Sequence, residues 1–244
     1  MSSPESYTWL ITGANRGIGL ELTRQLLASA APTHTVIAAC RTPDAASDLH
    51  ALQHDTSGAV KGAVHVVALD VSSEASIRAC VPAVQAILGE RGLDYLYNNA
   101  AVNPTDDSPF DFSYPELLDI LQINVGAPAL LTQLCLPLIE RGRRKVIVNA
   151  TSGLASIGLD IGAKCTSYSV SKTALNMLTY KQARARPDFI AIVLDPGWVK
   201  TAMGGPGAVL EPAESVSGIL SVVTRLTTAD SGKFFRYNGT QHPW

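Results

Sequence analysis

The stretch Thr8-Trp9-Leu10-Ile11-Thr12-Gly13-Ala14-Asn15-Arg16-Gly17-Ile18-Gly19 decides the fold. Thr8–Thr12 is an apolar, β-branched run of strand length, and the helix-like segment Gly17–Ala30 follows at once, so the glycines occupy a strand-to-helix turn. Gly13, Gly17 and Gly19 allow a tight turn and close approach of a pyrophosphate to bare backbone, where its charge meets a helix N-terminus. Asn15, Arg16 and Ile18 fill that turn. The spacing is Gly-x3-Gly-x-Gly, and for glycines alone a plain structural turn is the competing reading.

Outward from this turn the same alternation continues. Strand-like runs at Thr35–Ala39, Val64–Leu69, Leu93–Tyr97, Lys145–Ala150, Ile190–Leu194 and Gly232–Phe235 alternate with helix-like segments at Glu74–Leu88, Tyr114–Glu140, Thr166–Arg184 and Glu211–Leu226. Runs such as Ile190-Ala191-Ile192-Val193-Leu194 are continuously apolar, as expected when both faces of a sheet are covered. The pattern predicts an α/β chain with a doubly wound, parallel sheet of about seven strands and helices on both faces. No repeat or linker divides the sequence, so residues 1–244 read as one domain. In such a sheet, ligands bind at the carboxyl ends of the strands.

Composition narrows the function. Of 244 residues, 46% are apolar and 16% charged, with a net charge of −2. That balance argues against a disordered chain and gives no support to a nucleic-acid partner. The apolar run Ala127–Ile139 is interrupted by Thr132 and Gln133, so no membrane span is expected. Met1–Tyr7 lacks the features of a secretory signal. The scattered Cys40, Cys80, Cys135 and Cys165 suggest reduced thiols and a cytoplasmic location.

The residues after each strand carry the chemistry. An NAD-preferring site places an acid about 20 residues beyond the glycines, where it binds the ribose 2′-hydroxyl. Here no acid occurs between Glu21 and Asp44, and the second strand ends at Cys40-Arg41. Arg41, together with Arg16, suits a 2′-phosphate and points to NADP(H). Asp70, before Val71, suits an adenine amino group or a helix cap. Asn98-Asn99-Ala100 follows the fourth strand, where amides tie strands together and line a cofactor. Asp195-Pro196-Gly197-Trp198-Val199-Lys200-Thr201 follows the sixth and would present Val199 and Thr201 to a nicotinamide carboxamide.

Tyr168 and Lys172 lie four residues apart, on one face of a helical segment. A tyrosine exchanges protons near neutrality only if its phenolate is stabilised, which an ammonium and a cationic ring would do. Ser152, after the fifth strand, reaches the same sheet edge and could donate to a carbonyl oxygen. Asn124 lies within a long helical segment, where asparagine is unfavourable, and this suggests a role beyond packing.

Thr12-Gly-x3-Gly-x-Gly19, Asn98-Asn-Ala, Asn124, Ser152, Tyr168-x3-Lys172 and Pro196-Gly197 resemble, in order and spacing, the short-chain dehydrogenases/reductases. The ending Ser231–Trp244 is similar to the C-factor/sniffer-like branch with its carbonyl reductases, and the opening resembles fungal ketoreductases of the norsolorinic acid type. The resemblance implies that Tyr168 is the general acid/base and that Lys172 lowers its pKa. Ser152 orients the carbonyl, and Asn124 holds a water in a proton relay. It implies hydride transfer from NADPH to a ketone or aldehyde, and pairing into a homodimer or homotetramer through the Tyr114–Glu140 and Thr166–Arg184 helices. The chain departs from the family pattern at Ala101, usually glycine, and in the separation of Ser152 from Tyr168, which lengthens the loop beside the substrate.

Val102, Leu154, Ile161, Trp198 and Met203 are the expected pocket walls, suggesting a largely apolar small molecule as partner. A cofactor-binding sensor and a cyclase or isomerase reusing the fold are the rival functions. His50 and His54 have no evident third ligand, so no metal is expected. Asp106-Asp107 and Asp111 read as a surface loop, and Phe110, Phe112 and Tyr114 as residues buried on the sheet.

Overall fold

The computed structural model describes residues 6–104 and 106–244. Its strands are β1 (Ser6–Thr12), β2 (Thr33–Cys40), β3 (Ala63–Ala68), β4 (Tyr95–Asn98), β5 (Val146–Ala150), β6 (Ile190–Asp195) and β7 (Phe234–Arg236). They form one seven-stranded sheet in the order β3-β2-β1-β4-β5-β6-β7, with every neighbouring pair parallel. The helices are α1 (Gly17–Ala28), α2 (Ser47–Gln53), α3 (Glu74–Leu88), α4 (Tyr114–Leu121), α5 (Ala127–Glu140), α6 (Thr166–Ala185) and α7 (Pro212–Val223). The strand order changes direction between β1 and β4, which opens a crevice at their carboxyl ends. The doubly wound α/β reading is therefore correct.

The period-two alternation of β1 sorts its side chains between two cores. Trp9 and Ile11 join Leu22, Leu26, Val216 and Ile219 of α1 and α7, whereas Leu10 joins Val84, Leu131 and Leu138 of α3 and α5 on the opposite face. Burying such side chains on both faces contributes roughly 1.5–3 kcal/mol each, which offsets the chain entropy lost by ordering seven strands.

Four expectations need correction. The segment Tyr114–Glu140 is not uniform α-helix: a π turn, Gln122–Gly126, joins α4 to α5. The resulting continuous helix is long and apolar enough in composition to cross a membrane, which the broken apolar run had argued against; in the fold, its Leu131, Cys135, Leu138 and Ile139 pack into the core. Phe110, Phe112 and Tyr114 are exposed, not buried on the sheet, because the chain here swings outward in a turn closed by a Ser108–Asp111 bridge. Lastly, α2 had no counterpart among the helices read from the sequence.

Candidate active site

The glycine turn is built as its composition requires. Gly13 and Gly17 have φ of +66° and +54°, values that favour glycine. A Cβ on Gly19 would stand 2.4 Å from the Gly13 carbonyl, so only hydrogen fits there. Asn99, which was not singled out from its motif, fixes this turn: its Nδ2 donates to the carbonyls of Thr12 at 3.0 Å and Gly13 at 3.3 Å. The Thr12 hydroxyl accepts from the backbone N–H groups of Asn99 and Ala100. Asn98 is 3% exposed and donates to Asn149 Oδ1 at 2.7 Å, so its side chain ties β4 to β5, one of the two roles expected of these amides.

Arg16, at the N-cap position of α1, and Arg41, just beyond β2, are both exposed at this edge. Asp70 is held in a turn in which its Oδ1 accepts from the N–H and hydroxyl of Ser72; α3 is capped by Ser73, so the cap reading of Asp70 is displaced. Its carboxyl is held below the usual range, chiefly by those Ser72 bonds and in smaller part by the charge of Arg41. The bare glycine backbone and the pair of cations fit a phosphorylated dinucleotide. Facing them across the crevice, Thr201 Cγ2 would lie 3.1 Å from a Cβ on Gly17, so the 199–210 segment comes down onto the turn. That segment is shaped by the Val199–Leu210 bridge, and the Pro196 carbonyl accepts from Ser215 of α7.

At the end of β5, Ser152, Tyr168 and Lys172 come together. The Lys172 side chain runs beneath the Tyr168 ring, its Nζ 5.7 Å from the ring centroid, and donates to the Ala150 carbonyl at 2.8 Å. Burial pulls the Lys172 ammonium down to about 7. Ser152 caps the short helix Gly153–Ala155 and hydrogen-bonds the Tyr168 phenol, which stabilises its phenolate. Burial first, then the charges of Asp195 and Cys165, nevertheless push that phenol upward. The protein's own groups thus favour the protonated Tyr168 phenol, while the Lys172 ammonium is directed at a backbone carbonyl.

Asn124 lies in the π turn and is fully buried. Its amide pairs with both backbone groups of Val102, each at 2.9 Å, and donates to Ser171 at 3.0 Å. The side chain therefore anchors the loop after β4. The acidic loop, read as plain surface, instead braces the catalytic helix. Asp107 accepts from the N–H and hydroxyl of Ser167, and Asp106 accepts from the N–H of Cys165. These carboxylates sit at the positive end of α6, the helix that carries Tyr168 and Lys172.

Of the expected pocket walls, Ile161 leans over Gly153 beside Ser152, and Leu154 and Val102 are partly buried nearby. Trp198 is half-exposed, with its indole N–H donated to the Gly204 carbonyl and Lys164 over its ring; Met203 is exposed on the same segment. Among the described residues, no group of three or more His, Cys, Asp or Glu side chains is arranged to hold a metal ion.

The family model for short chain dehydrogenases matches residues 8–207, and the chain belongs to that family. It is similar to the carbonyl reductase Sniffer of D. melanogaster, with 30% identity, a TM-score of 0.89, and 98% of this chain and 100% of that one covered. It is similar also to an NADPH-bound carbonyl reductase from chicken fatty liver, with 33% identity, a TM-score of 0.90 and the same coverage. Among curated relatives, the norsolorinic acid ketoreductase of Dothistroma septosporum is 33% identical over 97% of this chain and 92% of its own length. The C-signal protein of Myxococcus xanthus is 36% identical over 62% of this chain and 93% of its own length.

Proposed function

We propose that this oxidoreductase reduces the carbonyl of a largely apolar ketone or aldehyde to an alcohol, using NADPH. The observation that carries the reading is the convergence of Ser152, Tyr168 and Lys172 on one point of the crevice that the glycine turn opens. NADP(H) is favoured by Arg16 and Arg41, by the missing acid beyond β2, and by the solved relatives described as bound to NADPH or NADP.

When bound, NADPH supplies the hydride. Ser152 orients the carbonyl oxygen, and Tyr168, held protonated by its surroundings, gives that oxygen its proton. The Lys172 Nζ lies 5.7 Å from the Tyr168 ring centroid, where an ammonium favours the resulting phenolate. Asn124 acts as a positioning residue, keeping the Val102 loop at the rim.

Exposed Leu118, Val170 and Met177 on α4 and α6 support pairing with a second copy. The four free cysteines support a reducing, cytoplasmic setting. A signalling role would rest on the name of the C-signal relative alone. Incubating the protein with NADPH and a panel of ketones, aldehydes and imines tests the reading. Consumption of NADPH with formation of alcohol is expected, and no turnover on any carbonyl would refute it.

A further inference from the structure

A second ionisable pair lies at the same end of the sheet. Asp195 closes β6 and is 8% exposed; its Oδ1 accepts from the N–H of Gly197 at 2.9 Å, and its Oδ2 lies 3.0 Å from His242 Nε2. His242 is brought there by a reversal after β7. The Arg236 N–H donates to the Thr240 carbonyl, Gly239 takes a φ of +88°, and Phe235 pairs antiparallel with Gln241. The backbone of His242 then donates to the Phe234 carbonyl, and its ring packs edge-on to Phe234 at 5.1 Å.

The residues beside His242 hold the lengthened loop. The Ser156 hydroxyl donates to the Pro243 carbonyl at 2.6 Å, and the Gly158 N–H donates to the Trp244 carbonyl at 3.0 Å. A Cβ on Gly158 would stand 2.8 Å from Pro243. Within the loop, Ser156 Oγ also accepts from the Leu159 N–H at 3.1 Å. A Cβ on Gly153 would meet Ile161, Asp195 and Leu159 within 3.3–3.6 Å, so the anchored loop, the Asp195 carboxylate and the backbone next to Ser152 are in contact.

We propose that Asp195 and His242 are a positioning pair for the carbonyl site: by holding residues 241–244 under the 153–161 loop, they set the apolar wall of Leu159 and Ile161 beside Ser152. Selectivity for the carbonyl compound then depends on a segment about 75 residues beyond Tyr168, none of which touches the reacting atoms. The same carboxylate holds Gly197, so the pair couples the substrate wall to the Pro196-Gly197 turn. The inference deepens the reductase reading and rests on it for its kinetic consequence only.

The experiment compares the full chain with His242→Ala and His242→Gln, the latter retaining an N–H donor for Asp195. Hydrogen exchange is followed across 154–161, and kinetics are measured with NADPH and 9,10-phenanthrenequinone. In His242→Ala, exchange in 154–161 should rise about tenfold or more, with β1 to β6 unchanged. KM for the quinone should rise about fivefold, with kcat and NADPH affinity changing by less than about twofold. His242→Gln should recover most of both effects. Unchanged exchange and KM in His242→Ala overturn the proposal, as does a uniform rise in exchange throughout the sheet, which would mark an ordinary packing residue. If the unsubstituted protein reduces no carbonyl, the reductase reading fails instead, and the exchange pattern alone decides whether the pair positions the loop.

Discussion

The Lys172 ammonium donates a 2.8 Å hydrogen bond to the carbonyl of Ala150, the last residue of β5. One bond thus joins the helix that carries Tyr168 to the strand that delivers Ser152, at the cost of burying a cation 2% exposed. Because burial lowers this group from 10.5 to about 7, the charged form is destabilising in the fold. Lys172→Met, similar in volume, should therefore raise the stability measured by urea unfolding at pH 7 by about 1 kcal/mol while cutting turnover by about 100-fold or more. Loss of stability together with retained turnover would reverse the assigned role.

Arg41 stands exposed beyond β2, close enough to Asp70 to lower its carboxyl. A charge-assisted contact to a 2′-phosphate is worth about 1.5–3 kcal/mol. Arg41→Ala should therefore weaken NADPH binding by about 10- to 100-fold in a fluorescence titration and leave NADH binding within a few-fold. Equal weakening of both cofactors would show that Arg41 does not read the phosphate.

Asp107 accepts from Ser167 at the start of α6, a side chain serving as cap from a loop 60 residues away. Its removal leaves the Ser167 N–H without its carboxylate partner and takes a negative charge from the positive end of the helix dipole. Asp107→Ala should lower stability by about 1 kcal/mol and slow turnover without changing NADPH affinity. An unaltered melting temperature would sink this role.

His34 is buried, accepts from Trp9 Nε1 at 3.2 Å, and is lowered by desolvation to about 4 in spite of the opposing pull of Asp94. Between about pH 4 and its unfolded value near 6.5, the unfolded chain binds the proton and the folded chain does not. Stability from this residue is therefore complete above pH 6.5 and is lost on acidification towards 4, a change of about 3 kcal/mol. His34→Gln should flatten the stability profile across that window. An identical slope in the variant would assign it to other groups.

The sequence revealed most where chemistry is local. The glycine turn, the Tyr168/Lys172 spacing and the apolar strands are each legible within a few residues, and all lie where that reading puts them. What escaped depends on pairs far apart in the chain. Nothing near Asp107 indicates that it caps α6, and nothing near His242 indicates that Asp195 will meet it. Asn98 and Asn99 look alike in sequence. Only the backbone at the end of β4 sends one amide to Asn149 and the other to the glycine turn. The π turn at Asn124 was likewise hidden, since the Val102 backbone that its amide pairs with lies 22 residues away.

The central claim is that Tyr168 delivers the proton to the carbonyl oxygen in a site that binds NADPH without its help. The most direct measurement is Tyr168→Phe, assayed for NADPH binding by titration and for NADPH-dependent reduction of a carbonyl substrate turned over by the unsubstituted protein. Binding within a few-fold of the original, with turnover lowered by about 100-fold or more, is the predicted result. Turnover close to the original in Tyr168→Phe would contradict the account.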